Sequence, residues 1–286
     1  MKEINAKTKV CALIGDPVEH SFSPLIHNAG FRELGINFVY VAFRVNDVEN
    51  AIKGIRALNF RGASITIPHK VKAMDYLDSL DEMAKKIGSI NTIVNQNGEL
   101  KGFNSDGMGA LKALHDHRVD LNGTSVSVLG SGGAARAITF ALAMKAKLKE
   151  LHILGVIKEE VSALTDDLEK VTATKVKGEL MEEDILQKRI FSSDLLINCT
   201  PVGMYPKSEG SPVPISFLGK GLLVFDIVYN PPQTKLLKEA KSIGCDTISG
   251  IEMFINQAVV QFELWTAKKA PEAAMRKVVL DCLTRK

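Results

Sequence analysis

Ser125-Val126-Ser127-Val128-Leu129-Gly130-Ser131-Gly132-Gly133-Ala134-Ala135 places this chain in the α/β class. Ser125 to Leu129 reads as a strand, Gly130 to Gly133 as a glycine loop, and Ala134 to Lys147 as a helix. Strand, loop and helix are the context that gives a GxGxx(G/A) match its meaning. The first glycine allows a tight turn, the second lets the backbone approach a pyrophosphate, and the small third residue lets helix and strand pack closely. The helix start then offers free N–H groups to an anion. Gly130, Ser131, Gly132, Gly133 and Ala134 are therefore candidate dinucleotide-binding residues.

Downstream, Leu151–Leu154 is the next strand and Lys158 to Lys170 a helix. Leu195–Asn198, Leu222–Ile227 and Cys245–Ile248 are further strands, and Ile251–Trp265 and Pro271–Leu283 two closing helices. Upstream, Val10–Ile14 is a buried strand. Ser23-Pro24 opens a helix with Ser23 as N-cap. Phe38–Phe43 is a strand, and Asp47 caps a helix with Val48, Ile52, Ile55 and Leu58 at helical spacing. Ser64-Ile65-Thr66-Ile67 is a strand stopped by Pro68, with a helix from near Lys70 and another over Asp81–Lys86. Asn91–Val94 and Leu100–Phe103 flank an Asn97-Gly98 turn signal, as an antiparallel edge. Asp106-Gly107 begins a helix to about His117. The reading is an N-terminal α/β domain (1–107), a doubly wound Rossmann domain (108–249), and C-terminal helices (250–286) returning to the first domain.

Hydrophobic residues are 45% and charged residues 24%, the profile of a soluble globular protein. Lys plus Arg total 36 and Asp plus Glu 33, a net charge of +3 that gives no footprint for nucleic acid. The first residues, Met1 to Lys7, hold no apolar core of a signal peptide. No run of about 18 apolar residues suits a membrane span. Cys11, Cys199, Cys245 and Cys282 show no metal-binding spacing and fit reduced thiols in a cytoplasmic protein, Cys199 as a small buried apolar group. His20 and His27 read as loop and helix-face residues, and no metal is expected.

Lys70 stands where a strand gives way to a helix, at the rim where α/β sheets bind ligands. Asn91 begins the next strand and Asp106 heads a helix, so all three can meet at one cleft. A lysine's ordinary pKa is about 10.4. Desolvation would lower it and a neighbouring carboxylate raise it, and the sequence leaves the winner open. Taken alone, Lys70 reads first as a solvated lysine and Asp106 first as a plain N-cap. Ser21 and Ser23 offer two hydroxyls after the first strand, beside a positive helix end. At the end of the second cofactor strand, Leu154-Gly155-Val156-Ile157 has neither the acid that reads a ribose hydroxyl nor an arginine. Lys158 favours NADP, while Glu159 and Glu160 would repel a 2′-phosphate.

Together these segments amount to a resemblance. Gly15-Asp16-Pro17-Val18-Glu19-His20-Ser21-Phe22-Ser23-Pro24-Leu25-Ile26-His27-Asn28 resembles the opening motif of shikimate dehydrogenases, and Thr66-Ile67-Pro68-His69-Lys70 their lysine motif. Ile87 to Thr92, Asn104-Ser105-Asp106-Gly107, Gly130 to Arg136, Asn198 to Met204, Asp226 to Pro231, and Gly250-Ile251-Glu252-Met253 with Gln257 are similar to the later motifs, in order. The resemblance implies reversible NADPH-linked reduction of 3-dehydroshikimate to shikimate, a step of aromatic amino acid and chorismate biosynthesis. It implies Lys70 and Asp106 as the catalytic pair. Ser21, Ser23, Thr66, Asn91, Tyr229 and Gln257 would hold substrate. Gly203 and Met204 would lie at the nicotinamide, Ile227 would bind the cofactor, and Gly250 would lie at the cofactor end of the site.

Three positions depart from that family. Leu154-Gly155-Val156 stands where Asn-Arg-Thr is common, Ser64 where asparagine is common, and Ser105 where threonine is usual. Ser64 and the missing arginine leave room for an NAD-linked quinate/shikimate dehydrogenase, and a non-catalytic dinucleotide-binding relative is the alternative of a different class. The expected partners are a small-molecule substrate and NADP, with NAD possible. Neither nucleic acid nor membrane is expected, and the chain is read as monomer or homodimer.

Overall fold

The computed structural model describes residues 3–284. Met1 and Lys2, the start of the segment read above for a leader, lie outside the described residues, as do Arg285 and Lys286. The chain divides into two compact units, Met1–Ser105 with Ile255–Lys286, and Asp106–Phe254.

The first unit runs β1 (Lys9–Gly15), α1 (Ser23–Glu33), β2 (Phe38–Arg44), α2 (Val48–Ala57), β3 (Gly62–Ile65), β4 (Ser79–Leu80), α3 (Glu82–Ile87), β5 (Thr92–Gln96) and β6 (Glu99–Phe103). Its six-stranded sheet has the order β2-β1-β3-β5-β6-β4. The antiparallel strand is β5, which pairs antiparallel with both β3 and β6. It lies inside the sheet, not at the edge expected from sequence. The hairpin through Asn97-Gly98 does run antiparallel, but β4 adds parallel to β6 and covers it. Asp47 caps α2 by accepting the Asn50 N–H. The α2 face of Val48, Ile52 and Ile55 then packs with Ala12, Ile14, Ala63, Ile65 and Ile93. Each fully buried aliphatic side chain contributes about 1.5–3 kcal/mol.

Three local expectations are corrected. Strand β3 ends at Ile65, two residues short of the expected end, because Pro68 lacks an N–H and also restricts the residue before it. The segment after Lys70 is a short 3₁₀ helix, Lys72–Tyr76, in place of an α-helix. Ser23 is not the cap of α1. Helix α1 starts at Ser23 itself, and its N–H is taken by the Ser21 hydroxyl at 3.2 Å.

The second unit runs α4 (Asp106–Asp116), β7 (Ser125–Leu129), α5 (Gly133–Lys145), β8 (Glu150–Gly155), α6 (Lys158–Glu169), β9 (Lys175–Leu180), α7 (Glu183–Phe191), β10 (Leu195–Asn198), β11 (Leu223–Asp226), α8 (Lys235–Ser242) and β12 (Asp246–Ser249). Every pairing in the order β12-β11-β10-β7-β8-β9 is parallel. This is the doubly wound dinucleotide order, read from the opposite edge. Its core joins Leu129, Leu154, Leu196, Val224, Leu236 and Leu237.

Helix α9 (Gly250–Thr266) crosses from the second unit into the first, and α10 (Glu272–Thr284) packs on α1. Gly30 of α1 lies against Phe262 and Met275. Trp265 is buried under the first sheet, its Nε1–H donating to the Ile93 carbonyl at 2.9 Å. Among the described residues, no helix is long and apolar enough to cross a membrane.

His27 is not an open helix-face residue. It is fully buried, stacked on Tyr40 at 4.6 Å and edge-on to Trp265 at 5.0 Å. Neither ring nitrogen reaches a hydrogen-bond partner at normal geometry, although Gln261 lies near enough to oppose the shift. Burial lowers its pKa to about 3. An unfolded histidine titrates near 6.5. Between those values the unfolded chain holds more protons, so stability is lost as pH falls through that window. From pH 7 to pH 4 the loss through His27 is roughly 3 kcal/mol, at ~1.36 kcal/mol per unit. The His27→Phe variant is expected to escape it. Urea titrations of parent and variant at both pH values measure the change in their stability gap, which cancels groups common to both. An unchanged gap would show that His27 is not held neutral.

Candidate active site

In the first unit the chain turns from β2 on one side of β1 to β3 on the other. The loops after β1 and β3 therefore leave the sheet at a topological switch point, where open α/β sheets bind ligands. The two loops touch. The Thr66 N–H donates to the Ile14 carbonyl at 2.9 Å, and its methyl packs on Gly15. Ser21 in the loop after β1 and Ser23 at the start of α1 have their hydroxyls 3.1 Å apart. Lys70 follows β3, half-buried, its carbonyl accepting the Ile90 N–H at 2.9 Å. His69 is buried, and its Nε2–H donates to the Val45 carbonyl at 2.6 Å, fixing the loop that carries Lys70. A carbonyl can only accept, so Nε2 carries the proton.

Asn91 reaches the same rim by a different route. Because β5 runs against β3, its start lies where β3 ends. Asn91 Oδ1 accepts the Ser105 N–H at 2.8 Å, and its Nδ2 donates to the Ser105 hydroxyl at 2.9 Å. That hydroxyl also lies 3.4 Å from Gln257 Oε1. Asn91, Ser105 and Gln257 are thus one cluster, and Ser105 immediately precedes Asp106.

The sequence reading missed the layer beneath. Tyr40 Oη donates to Ser64 Oγ at 2.7 Å, and Ser64 Oγ donates to Gln261 Oε1 at 2.8 Å. Gln261 Nε2 in turn donates to the Asn91 carbonyl at 3.2 Å and to Thr92 Oγ1 at 3.0 Å. Ser64 therefore spends its hydroxyl inside the fold, bridging β2 to α9. Gln261 lies one helical turn beyond Gln257, a spacing that could have flagged it.

In the second unit the switch point falls between β7 and β10. Gly130 has φ +104°, which a side chain rarely adopts, and an added Cβ would meet the Cys199 backbone. Gly132 is the N-cap of α5 and gives no side-chain cap, so the first N–H groups of Gly133 and Ala134 are left for an anion. That cradle fits a dinucleotide pyrophosphate. The Cys199–Met204 and Ile227–Pro231 loops leave the same end of the parallel sheet. They are tied by Tyr205 N–H to the Asn230 carbonyl at 2.9 Å. Gly203 is buried and Met204 exposed. Tyr229 stacks on Phe254 at 4.6 Å, and Gly250 packs on the Ile227 carbonyl.

A second missed group underlies these loops. The buried Asp226 accepts from Asn198 Nδ2 at 2.9 Å, Val228 N–H at 3.1 Å and Thr234 Oγ1 at 2.5 Å. Burial pushes its carboxyl up to about 6 against those bonds, which favour the charged form. Burial also raises the Cys199 thiol, first of all by desolvation, so it is no nucleophile near neutrality. Lys158 is the first residue of α6 and exposed. Lys70, Asn91 and Gln257 belong to the first unit and Asp106, Tyr229 and the glycine loop to the second. Among the described residues no group of three His, Cys, Asp or Glu is arranged for a metal.

Comparison with known proteins agrees with this geometry. Residues 13–93 match the family model for the shikimate dehydrogenase substrate binding domain, and residues 250–280 that for the shikimate 5′-dehydrogenase C-terminal domain. The chain is 41% identical over 284 residues to a protein of Methanopyrus kandleri named shikimate dehydrogenase (NADP(+)), covering 98% of each. A shikimate dehydrogenase crystallised with NADP+ superposes with TM-score 0.90 at 40% identity, over 98% of each chain. Shikimate 5-dehydrogenase of Listeria monocytogenes, solved with shikimate and NAD, superposes with TM-score 0.90 at 33% identity, over 98% of this chain and 99% of that one. With the substrate-domain match over β1 to β5 and full-length relatives at this identity, the chain belongs to the shikimate dehydrogenase family.

Proposed function

We propose that this protein is a shikimate dehydrogenase, an oxidoreductase that reversibly reduces 3-dehydroshikimate to shikimate with NADPH. The single observation that carries the reading is the joint presence of two rims. One bears Ser21, Ser23, Thr66, Lys70 and Asn91, the other an uncapped glycine cradle at a parallel-sheet switch point. Hydroxyl and amide groups in that number suit a polyhydroxylated ring acid better than an apolar substrate. The nicotinamide, when bound, supplies the hydride. Lys70 then stabilises the substrate oxygen on which negative charge develops and gives it a proton, and Asp106 is the second catalytic residue. Ser21 and Ser23 hold the carboxylate, Thr66, Asn91 and Gln257 the ring hydroxyls, and Tyr229 is a further substrate-binding residue. Gly203, Met204, Ile227 and Gly250 form the nicotinamide end of the cofactor site, and the first unit binds substrate. The enzyme works in the cytoplasm on a small molecule, as monomer or homodimer, within aromatic amino acid biosynthesis.

Absorbance at 340 nm tests this with four pairings, shikimate or quinate with NADP+ or NAD+. Shikimate with NADP+ is expected to give a kcat/KM at least tenfold above quinate with either cofactor. Quinate with NAD+ leading would replace the reading by a quinate dehydrogenase. No absorbance change in any pairing would point to a non-catalytic dinucleotide-binding relative.

A further inference from the structure

The adenosine end of the cradle carries a feature that the family reading does not supply. Ser131, buried inside the glycine loop, donates its hydroxyl to Glu160 Oε2 at 2.8 Å. The same hydroxyl packs against Gly155, the last residue of β8. Glu160 is in the first turn of α6, yet this bond draws its carboxylate to the strand end, where a dinucleotide-binding fold reads the adenosine ribose. An acidic acceptor there takes a hydrogen bond from a ribose 2′-hydroxyl and repels a 2′-phosphate, which carries nearly two negative charges near neutrality.

The cations nearby do not offset it fully. Arg136, the arginine that follows the glycine loop, is drawn to Asp167 at 2.7 Å and lies over the Phe140 ring. The exposed Lys158 is the basic residue nearest to the end of β8 in the chain, with Glu159 and Glu160 directly behind it. Leu154, Gly155, Val156 and Ile157 contribute no side-chain hydrogen-bonding group.

We propose that Glu160, held against the glycine loop by Ser131, is a specificity-determining residue. It lowers affinity for a 2′-phosphorylated dinucleotide and so brings NAD and NADP to comparable binding. This rests on the dinucleotide reading of the Gly130 loop. Glu160 and Lys158 act in opposition on one group, so the two side chains set the balance between them.

Calorimetric titration with NADP+, NAD+, adenosine 2′,5′-bisphosphate and 5′-AMP tests this without turnover. The parent is expected to bind NADP+ and NAD+ with Kd values within about tenfold. Glu160→Gln should tighten NADP+ and adenosine 2′,5′-bisphosphate about two- to fivefold, the scale of one exposed charge contact. NAD+ and 5′-AMP should hold within about threefold or weaken in that variant, as expected for loss of a ribose-hydroxyl acceptor. Lys158→Gln should move NADP+ the other way by a similar factor. A parent preference for NADP+ above about a hundredfold, or a Glu160→Gln variant that shifts both dinucleotides equally, overturns the role of Glu160 while leaving the cradle intact. If neither dinucleotide binds the parent, the cradle reading itself falls, and this proposal with it.

Discussion

Replacing Lys70 by alanine is expected to lower kcat for shikimate oxidation by roughly 10²–10⁴, the usual range for losing a proton-transfer group together with charge stabilisation. The dissociation constant for shikimate should stay within a few-fold. That split follows from the division of labour. In the proposed site, Ser21, Ser23, Thr66, Asn91 and Gln257 would hold the ground state, whereas Lys70 would act mainly on charge that appears during the reaction. The loop should survive the change. The Lys70 carbonyl keeps its bond from Ile90, and His69 keeps its bond to Val45, since both lie outside the Lys70 side chain. Steady-state rates with calorimetric shikimate binding measure the two halves separately. Near-parental turnover would remove Lys70 from the chemistry. Equal losses in kcat and in affinity would recast it as a substrate-binding residue.

Replacing Trp265 by alanine is expected to destabilise the first unit by about 3–5 kcal/mol, the usual cost of deleting a buried large aromatic. Several losses combine there. The side chain is 1% exposed and is the chain's single tryptophan. It packs on His27 and Tyr40, and its Nε1–H satisfies the Ile93 carbonyl in the sheet. The space it fills exists because residue 62 is glycine. A Cβ there would come within 2.4 Å of the indole nitrogen and 2.3 Å of the Ile93 carbonyl. Gly62→Ala should therefore destabilise the same unit from the opposite side. Urea unfolding followed by circular dichroism measures both. A loss below about 1 kcal/mol for Trp265→Ala, far under the range for buried aromatics, would show that the helix is not required to close the sheet.

Much of this was legible in the sequence because local rules and long-range order agreed. Ser125–Leu129 and Leu195–Asn198 are buried along their whole length, short β-rich segments bounded by turn residues, and the structure returns the same boundaries. Asp47 announced its helix, and Gly130 to Ala134 its cradle. Strand β9 and helices α7 and α8 went unread. Lys175-Val176-Lys177-Gly178-Glu179-Leu180 is an edge strand with charged residues and a glycine, which by composition passes for a loop. Site residues that face the ligand rim lie in short motifs. Gln261, Tyr40, Asp226 and Thr234 serve them from behind, through hydrogen bonds across long stretches of chain, which no local spacing encodes. Ser23 and His27 were misplaced for related reasons. The helix begins one residue early, at Ser23 with Phe22 before it, and the return of α9 closed over the histidine.

The return of residues 255–286 to the first unit fixes the order in which the chain can mature on the ribosome. The second unit is continuous from Asp106 to Phe254, so all of its partners have emerged before the last helices are made. The first sheet has its strands early, yet Ile93 waits 172 residues for the indole that covers it. Such separated contacts pay a large loop-closure cost before they reward the chain. An N-terminal half with an open apolar face is the form in which the nascent protein is most exposed to aggregation and to holding chaperones. Truncations that stop before Trp265 will therefore yield a folded cofactor unit attached to a sticky, unfinished partner.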